Sequence, residues 1–194
     1  KIGRTYAFTP GWLENESIWL HMEYKLLLTL LKLELYDQFY THFKNTFIPF
    51  LSTDIYGRSV LENSSFIVSS AYPDDRLHGR GFYARLSGAT IEALNILAIM
   101  FIGHNPYSYS NNELSIKLKP TIPGWLFDEN NEIEFLLHGY TQITYVNNSR
   151  FDTHKLQIQK IIINDIEYEH FEIREPFSKN IREQIPHSVK IILN

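Results

Sequence analysis

Two groups of residues in this chain have types and spacings that could do chemistry. The denser one reads Glu62-Asn63-Ser64-Ser65, then His78-Gly79-Arg80-Gly81, then Ser87-Gly88-Ala89-Thr90. Gly79 and Gly81 would let backbone come close to a ligand, and Arg80 offers a planar fork of donors that matches carboxylate or phosphate. Ser87 and Gly88 fall just before a predicted helix, where unpaired amides and the helix dipole attract anions. Such a set suits phosphate. The same residues also read as a tight Gly-Arg-Gly turn and a serine N-cap, and the residues alone leave both readings open.

The second group is Gly11-Trp12-Leu13-Glu14-Asn15-Glu16. Trp12 offers a stacking face, and the carboxylates flanking Asn15 could hold sugar hydroxyls. Its plain alternative is that Asn15 caps the helix that follows and Glu16 favours the dipole.

Other chemistries lack their residues. Cysteine is absent, which removes disulfides, thiolate catalysis and Cys-ligated zinc, and fits a reducing cytoplasm. The histidines have no His-x-x-x-His or equivalent spacing, so no metal site is expected. Neither a Gly-x-Ser-x-Gly nor a phosphate-loop pattern occurs. The net charge of −4, with no long basic run, argues against nucleic acid or an anionic membrane as partner. At 12 residues, the most apolar run, Ile91 to Ile102, is too short to span a bilayer. The opening, Lys1-Ile2-Gly3-Arg4, reads as the interior of a longer polypeptide, so a fragment is expected.

The elements that must position these groups divide into a helical half and a strand half. Ile18, Trp19, Met22, Leu26, Leu27, Leu30 and Leu31 recur at helical spacing, which predicts a helix over about 17–33 with Trp19, Met22, Leu26 and Leu30 in a core. Leu35, Phe39, Phe43 and Phe47 predict a second helix, ended by Pro49 and paired with the first as an antiparallel hairpin. Residues 52–81 read as one long loop of the kind that binds ligands. Ile91, Leu94, Leu97, Ala98 and Phe101 predict a third helix with Gly103 just past its end.

From residue 112 the apolar period changes to two. The alternation is clear at Leu114–Leu118, Ile133–Phe135, Thr141–Tyr145, Leu156–Gln159 and Val189–Ile191. Asn164-Asp165 reads as a tight hairpin turn. Short strands with turns between them predict an antiparallel β-sandwich, and the class is α+β. The expected division is residues 1–108 and 109–194.

A resemblance adds to this. The run Gly79-Arg80-Gly81-Phe82-Tyr83-Ala84-Arg85-Leu86-Ser87-Gly88-Ala89 resembles, without a gap, the Gly-Arg-Gly and Thr-Gly-Ser pattern of glycoside hydrolase family 94, the cellobiose phosphorylases and their relatives. Tyr56 and Glu62 fall where that family has a Tyr and a sugar-binding Glu. The stretches Gly57–Phe66, His78–Phe82 and Pro123-Gly124-Trp125-Leu126-Phe127 are similar to the β-1,2-oligoglucan phosphorylases. The likeness covers most of residues 4–152 and fades in the last forty or so.

The resemblance implies the last helices of an (α/α)6 barrel followed by a β-domain. It implies inverting cleavage of a β-glucoside by inorganic phosphate to give α-glucose 1-phosphate, with a carboxylic acid protonating the leaving oxygen while phosphate attacks. Arg80, Ser87, Gly88 and Asn15 would then face phosphate, the last standing where simpler members have a phosphate-binding His. Glu62, Trp12, Glu14 and His78 would face sugar. No cofactor beyond phosphate as co-substrate is implied. The partners would be a β-glucan oligosaccharide, and the missing N-terminal part or a second copy. The family's general-acid Asp lies on an earlier segment, so no catalytic residue is assigned within this chain. Two alternatives stand beside this reading. One is a non-catalytic carbohydrate-binding or structural fragment using Trp125, Phe127, Tyr140 and Tyr145. The other is hydrolysis or glycosyl transfer by a related six-hairpin enzyme.

Overall fold

The structure, a computed structural model, describes residues 3–84 and 88–194. It is of mixed α+β class and separates into two compact units, residues 1–97 and 98–194.

In the first unit β1 (Ile18–Trp19) leads directly into α1 (Leu20–Lys32), which is followed by α2 (Tyr36–Thr46). The turn between the helices is closed by Glu34 in the left-handed region and by the Leu35 amide on the Leu30 carbonyl. Tyr24, early in α1, packs its ring on Phe47, just past α2, at 5.5 Å, so the two helices run antiparallel as expected. Phe39, Phe43 and Phe47 stack in series along α2 at 5.1 and 4.7 Å.

The buried stripe of α1 differs from the expected one. Leu20, Tyr24, Leu27, Leu28, Leu30 and Leu31 are inside, whereas Met22 is 57% exposed, Leu26 is also exposed and Trp19 is half-buried. The helix is apolar over so much of its circumference that spacing alone does not choose which flank turns inward. The same holds for α4 (Gly88–Ile102), which spans the division between the units. Its buried residues are Ala89, Ala93, Ile96 and Met100, while Ile91 and Leu94 face out. Gly103 ends that helix at φ +92°, as its position predicts.

Residues 52–81 are not one loop. They contain the short α3 (Thr53–Tyr56) and β2 (Ser64–Ile67), and β3 (Gly81–Ala84) follows. Strands β1, β2 and β3 form an antiparallel sheet in that order. The strand signal was present in Phe66-Ile67-Val68 but was masked by the Ser, Asn and Gly around it.

The second unit holds the hairpin β4 (Tyr107–Ser110) and β5 (Glu113–Ile116), then β6 (Glu132–Leu137), β7 (Thr141–Asn147), β8 (Ile158–Ile163), β9 (Ile166–Tyr168), α5 (Phe177–Arg182) and β10 (Ser188–Leu193). The five-stranded sheet has the order β6-β7-β10-β8-β9. Pairing is antiparallel for β6–β7, β8–β9 and β8–β10, but β10 lies parallel to β7, which departs from an all-antiparallel arrangement. The cause is the connection after β9. It runs through α5 and returns the chain in the direction of β9, so β10 inserts beside β8 in the only sense left. Asn164 and Asp165 both have positive φ, the conformation a two-residue hairpin turn requires. One sheet face packs Ile143, Tyr145, Ile161, Ile163, Val189 and Ile191 into a core closed by Ile116, Ile122, Ile173 and Ile181. The Tyr145 hydroxyl, inside that core, donates to the Phe101 carbonyl at 2.7 Å.

Candidate functional site

The Gly-Arg-Gly run forms the entry to β3. The Arg80 amide donates to the Leu77 carbonyl and its carbonyl accepts from the Val68 amide, which fixes the backbone on both sides. Its side chain is then left free. The guanidinium lies over Gly57, where an added Cβ would stand 3.4 Å from Nη1, and it has no hydrogen-bond or ion-pair partner among the described residues. The flanking glycines have a local reason to be glycine. A Cβ on Gly81 would stand 2.1 Å from the Tyr56 ring, and one on Gly79, at φ +80°, would stand 2.6 Å from Ile55. The close approach expected for a ligand is made here by the protein's own side chains.

Tyr56 is fully buried and acts as a pin. Its hydroxyl donates to the Glu62 carbonyl at 2.5 Å and accepts from the Ser64 amide at 2.9 Å, which closes the loop between α3 and β2. The Glu62 carboxylate stays outside and pairs with Arg58 Nε at 3.0 Å.

Trp12 packs edge-on against Phe66 at 5.2 Å and Phe82 at 4.6 Å, with Tyr72 at 5.6 Å. Its indole therefore covers the three-stranded sheet and is half-buried. Asn15 is only 7% exposed, and its Nδ2 donates to the Phe8 carbonyl at 2.8 Å. It caps no helix, since α1 begins at Leu20 after Trp19. Glu14 holds Arg4 through two hydrogen bonds of 2.7 and 3.1 Å. His78 shares a hydrogen bond of 2.7 Å between Nε2 and the Tyr72 carbonyl.

Ser87 lies outside the described residues. Gly88 opens α4, and an added Cβ would stand 2.5 Å from Cε1 and Nε2 of His21. His21 Nε2 is 3.6 Å from a Glu92 carboxylate oxygen one turn into the same helix. Sequence reasoning passed over His21, because a lone His in an apolar run carries no spacing signal. The structure thus gathers Trp12, Asn15 and His78 around the small sheet, and sets Gly88 against His21. No hydrogen bond joins Arg80 to Asn15, Glu14 or Glu62.

The neighbouring turn shows what an arginine does when it has a partner. Asp74 accepts from Arg76 at 2.8 and 2.7 Å, and that side-chain bonding holds its carboxyl at about 2, below the ordinary carboxylate value. Arg80 has no such carboxylate. Of the aromatics considered for glycan contact in the second unit, Phe127 and Tyr145 are buried and closed to it, whereas Trp125 and Tyr140 are partly exposed. No group of three or more His, Cys, Asp or Glu among the described residues could hold a metal, and no described helix is long and apolar enough to cross a membrane. No model of a known protein family and no curated protein matches this chain.

Proposed function

We propose that this chain forms the phosphate- and sugar-facing end of a glycoside phosphorylase of the family 94 type. Such an enzyme cleaves a β-glucoside with inorganic phosphate, with inversion, to give α-glucose 1-phosphate. In this reading residues 1–108 are the last helices and active-site loop of an (α/α)6 barrel, and residues 109–194 are a β-sandwich domain. The reaction would take place in the cytoplasm and need phosphate but no cofactor.

The observation that carries the reading is the exposed Arg80 guanidinium, without a partner among the described residues, on a backbone fixed from both sides. A cation without a counter-ion among the described residues is suited to an anionic ligand, and a planar fork suits phosphate. The start of α4 would supply amides through Ser87 and Gly88, and the His21 imidazole beside Gly88 would add an N–H donor. Trp12, Glu14, Asn15, Glu62 and His78 would line the approach of the sugar. The acid that protonates the leaving oxygen would come from a segment outside this chain.

The test is phosphorolysis itself. The chain alone should release no glucose 1-phosphate from β-gluco-oligosaccharides, and supplying the upstream barrel segment should restore phosphate-dependent release. In the restored enzyme Arg80→Ala should raise the phosphate KM about tenfold or more, the loss expected for a charge-assisted contact of 1.5–3 kcal/mol. Product formed without phosphate would instead favour a hydrolase. An unchanged phosphate KM in Arg80→Ala would remove the site.

A further inference from the structure

A second feature lies in the β unit and uses none of the residues above. Ile116 at the end of β5 exchanges both backbone hydrogen bonds with Ile173, each 2.8 Å, so a single antiparallel bridge ties Ile173 to the β4–β5 hairpin. Ile116 and Ile173 turn into the core. By the two-residue period Ser115 and Lys117, beside Ile116, turn the opposite way, and Glu172 and Arg174 flank Ile173 in sequence.

Two cavities lie on that polar side. One, of about 150 Å³, is lined by Ser110, Asn111, Glu113 and Ser115 together with Glu172 and Arg174. The other, of about 260 Å³, is lined by Lys117, Glu169, His170 and Phe171 together with the same two residues. The two adjoin at Glu172 and Arg174, which line both and divide the groove.

The lining chemistry narrows the ligand. Two cations stand among three carboxylates, and Arg174 is already paired with Glu172 at 2.7 Å, so the groove has no cationic excess to select an anion. Lys117 and Glu169 are unpaired among the described residues, which leaves both a donor and an acceptor for a ligand. A sugar hydroxyl donates and accepts at once and can use both. Phe171 is 60% exposed beside them, offering a flat apolar face to the C–H side of a pyranose ring.

We infer that this groove is a binding site for a neutral oligosaccharide, anchored by stacking on Phe171 and by hydrogen bonds to Lys117, Glu169 and the hydroxyls of Ser110 and Ser115. It goes beyond the proposed phosphorolysis, since it needs neither phosphate nor Arg80.

Calorimetric titration of the whole chain with a β-linked gluco-trisaccharide, in phosphate-free buffer, tests it. Millimolar binding is expected, weakened about tenfold by Phe171→Ala and also reduced by Lys117→Ala, but unchanged by Arg80→Ala. Both groove side chains are exposed, and circular dichroism confirms that the variants fold. Absence of saccharide binding, or binding that survives both groove variants, overturns the site. So does binding abolished by Arg80→Ala alone, which would place the sugar at the phosphate-facing site.

Discussion

At the scale of single residues, the Gly-Arg-Gly run serves two purposes that sequence inspection merges. Gly81 is required by Tyr56, whose ring occupies the space a Cβ would fill, while the arginine between the glycines points away with its charge unspent. The two can be separated. Gly81→Ala should destabilise the first unit by about 1–3 kcal/mol, the range for overpacking a filled interior, read as a lower urea midpoint at unchanged slope. Arg80→Ala should leave that midpoint where it is, because the side chain holds nothing in the folded state. A Gly81→Ala variant of full stability would contradict the packing of Tyr56 against β3. Residue types singled out Arg80, Gly88 and Trp12, because a guanidinium, a missing Cβ and an indole each carry their chemistry in the residue itself. They did not reveal His21, whose relevance comes only from the approach of α1 to the start of α4.

At the scale of elements, Tyr24 ties three segments together. Its hydroxyl donates to Asn63 Oδ1 at 3.0 Å and accepts from the Ile48 amide at 3.2 Å. Burial raises its ionisation well above the ordinary tyrosine value, with the Ile48 hydrogen bond opposing in part. The unfolded chain releases this proton near pH 10 while the folded chain retains it. The stability contributed by the neutral phenol is therefore complete below about pH 10 and falls as pH rises beyond it. Tyr24→Phe should cost about 1–3 kcal/mol at neutral pH, because it leaves the Ile48 amide without its acceptor. It should also flatten the loss of stability on the alkaline side, measured by chemical unfolding at a series of pH values. An alkaline limb as steep as that of the parent would rule out this role. The existence of α1, α2, α4 and of β5, β6, β7, β8 and β10 was legible from period alone, whereas β4 was not. Two further things were not. Helices α1 and α4 carry apolar residues on more than one flank, so the flank that turns inward was set by tertiary packing, and β2 was hidden among turn-forming residues. The parallel placement of β10 depends on α5, six residues with little periodic signal.

At the scale of the whole molecule, the order of helices first and strands later places all of the proposed phosphate contacts in residues 1–97. Met22 and Leu26 of α1 and Ile91 and Leu94 of α4 are exposed apolar residues of that unit. The saccharide groove belongs to residues 98–194 and stands or falls by itself. What joins the fold to the proposed chemistry is the Arg80 cation, exposed and without a counter-ion among the described residues. Its most direct test is a calorimetric titration of the whole chain with inorganic phosphate at low ionic strength, for the parent, Arg80→Ala and, as a control, Arg76→Ala. Saturable binding is expected in the parent and the Arg76 variant and should be lost in the Arg80 variant. Equal affinity in all three proteins, or none in the parent, would contradict the account.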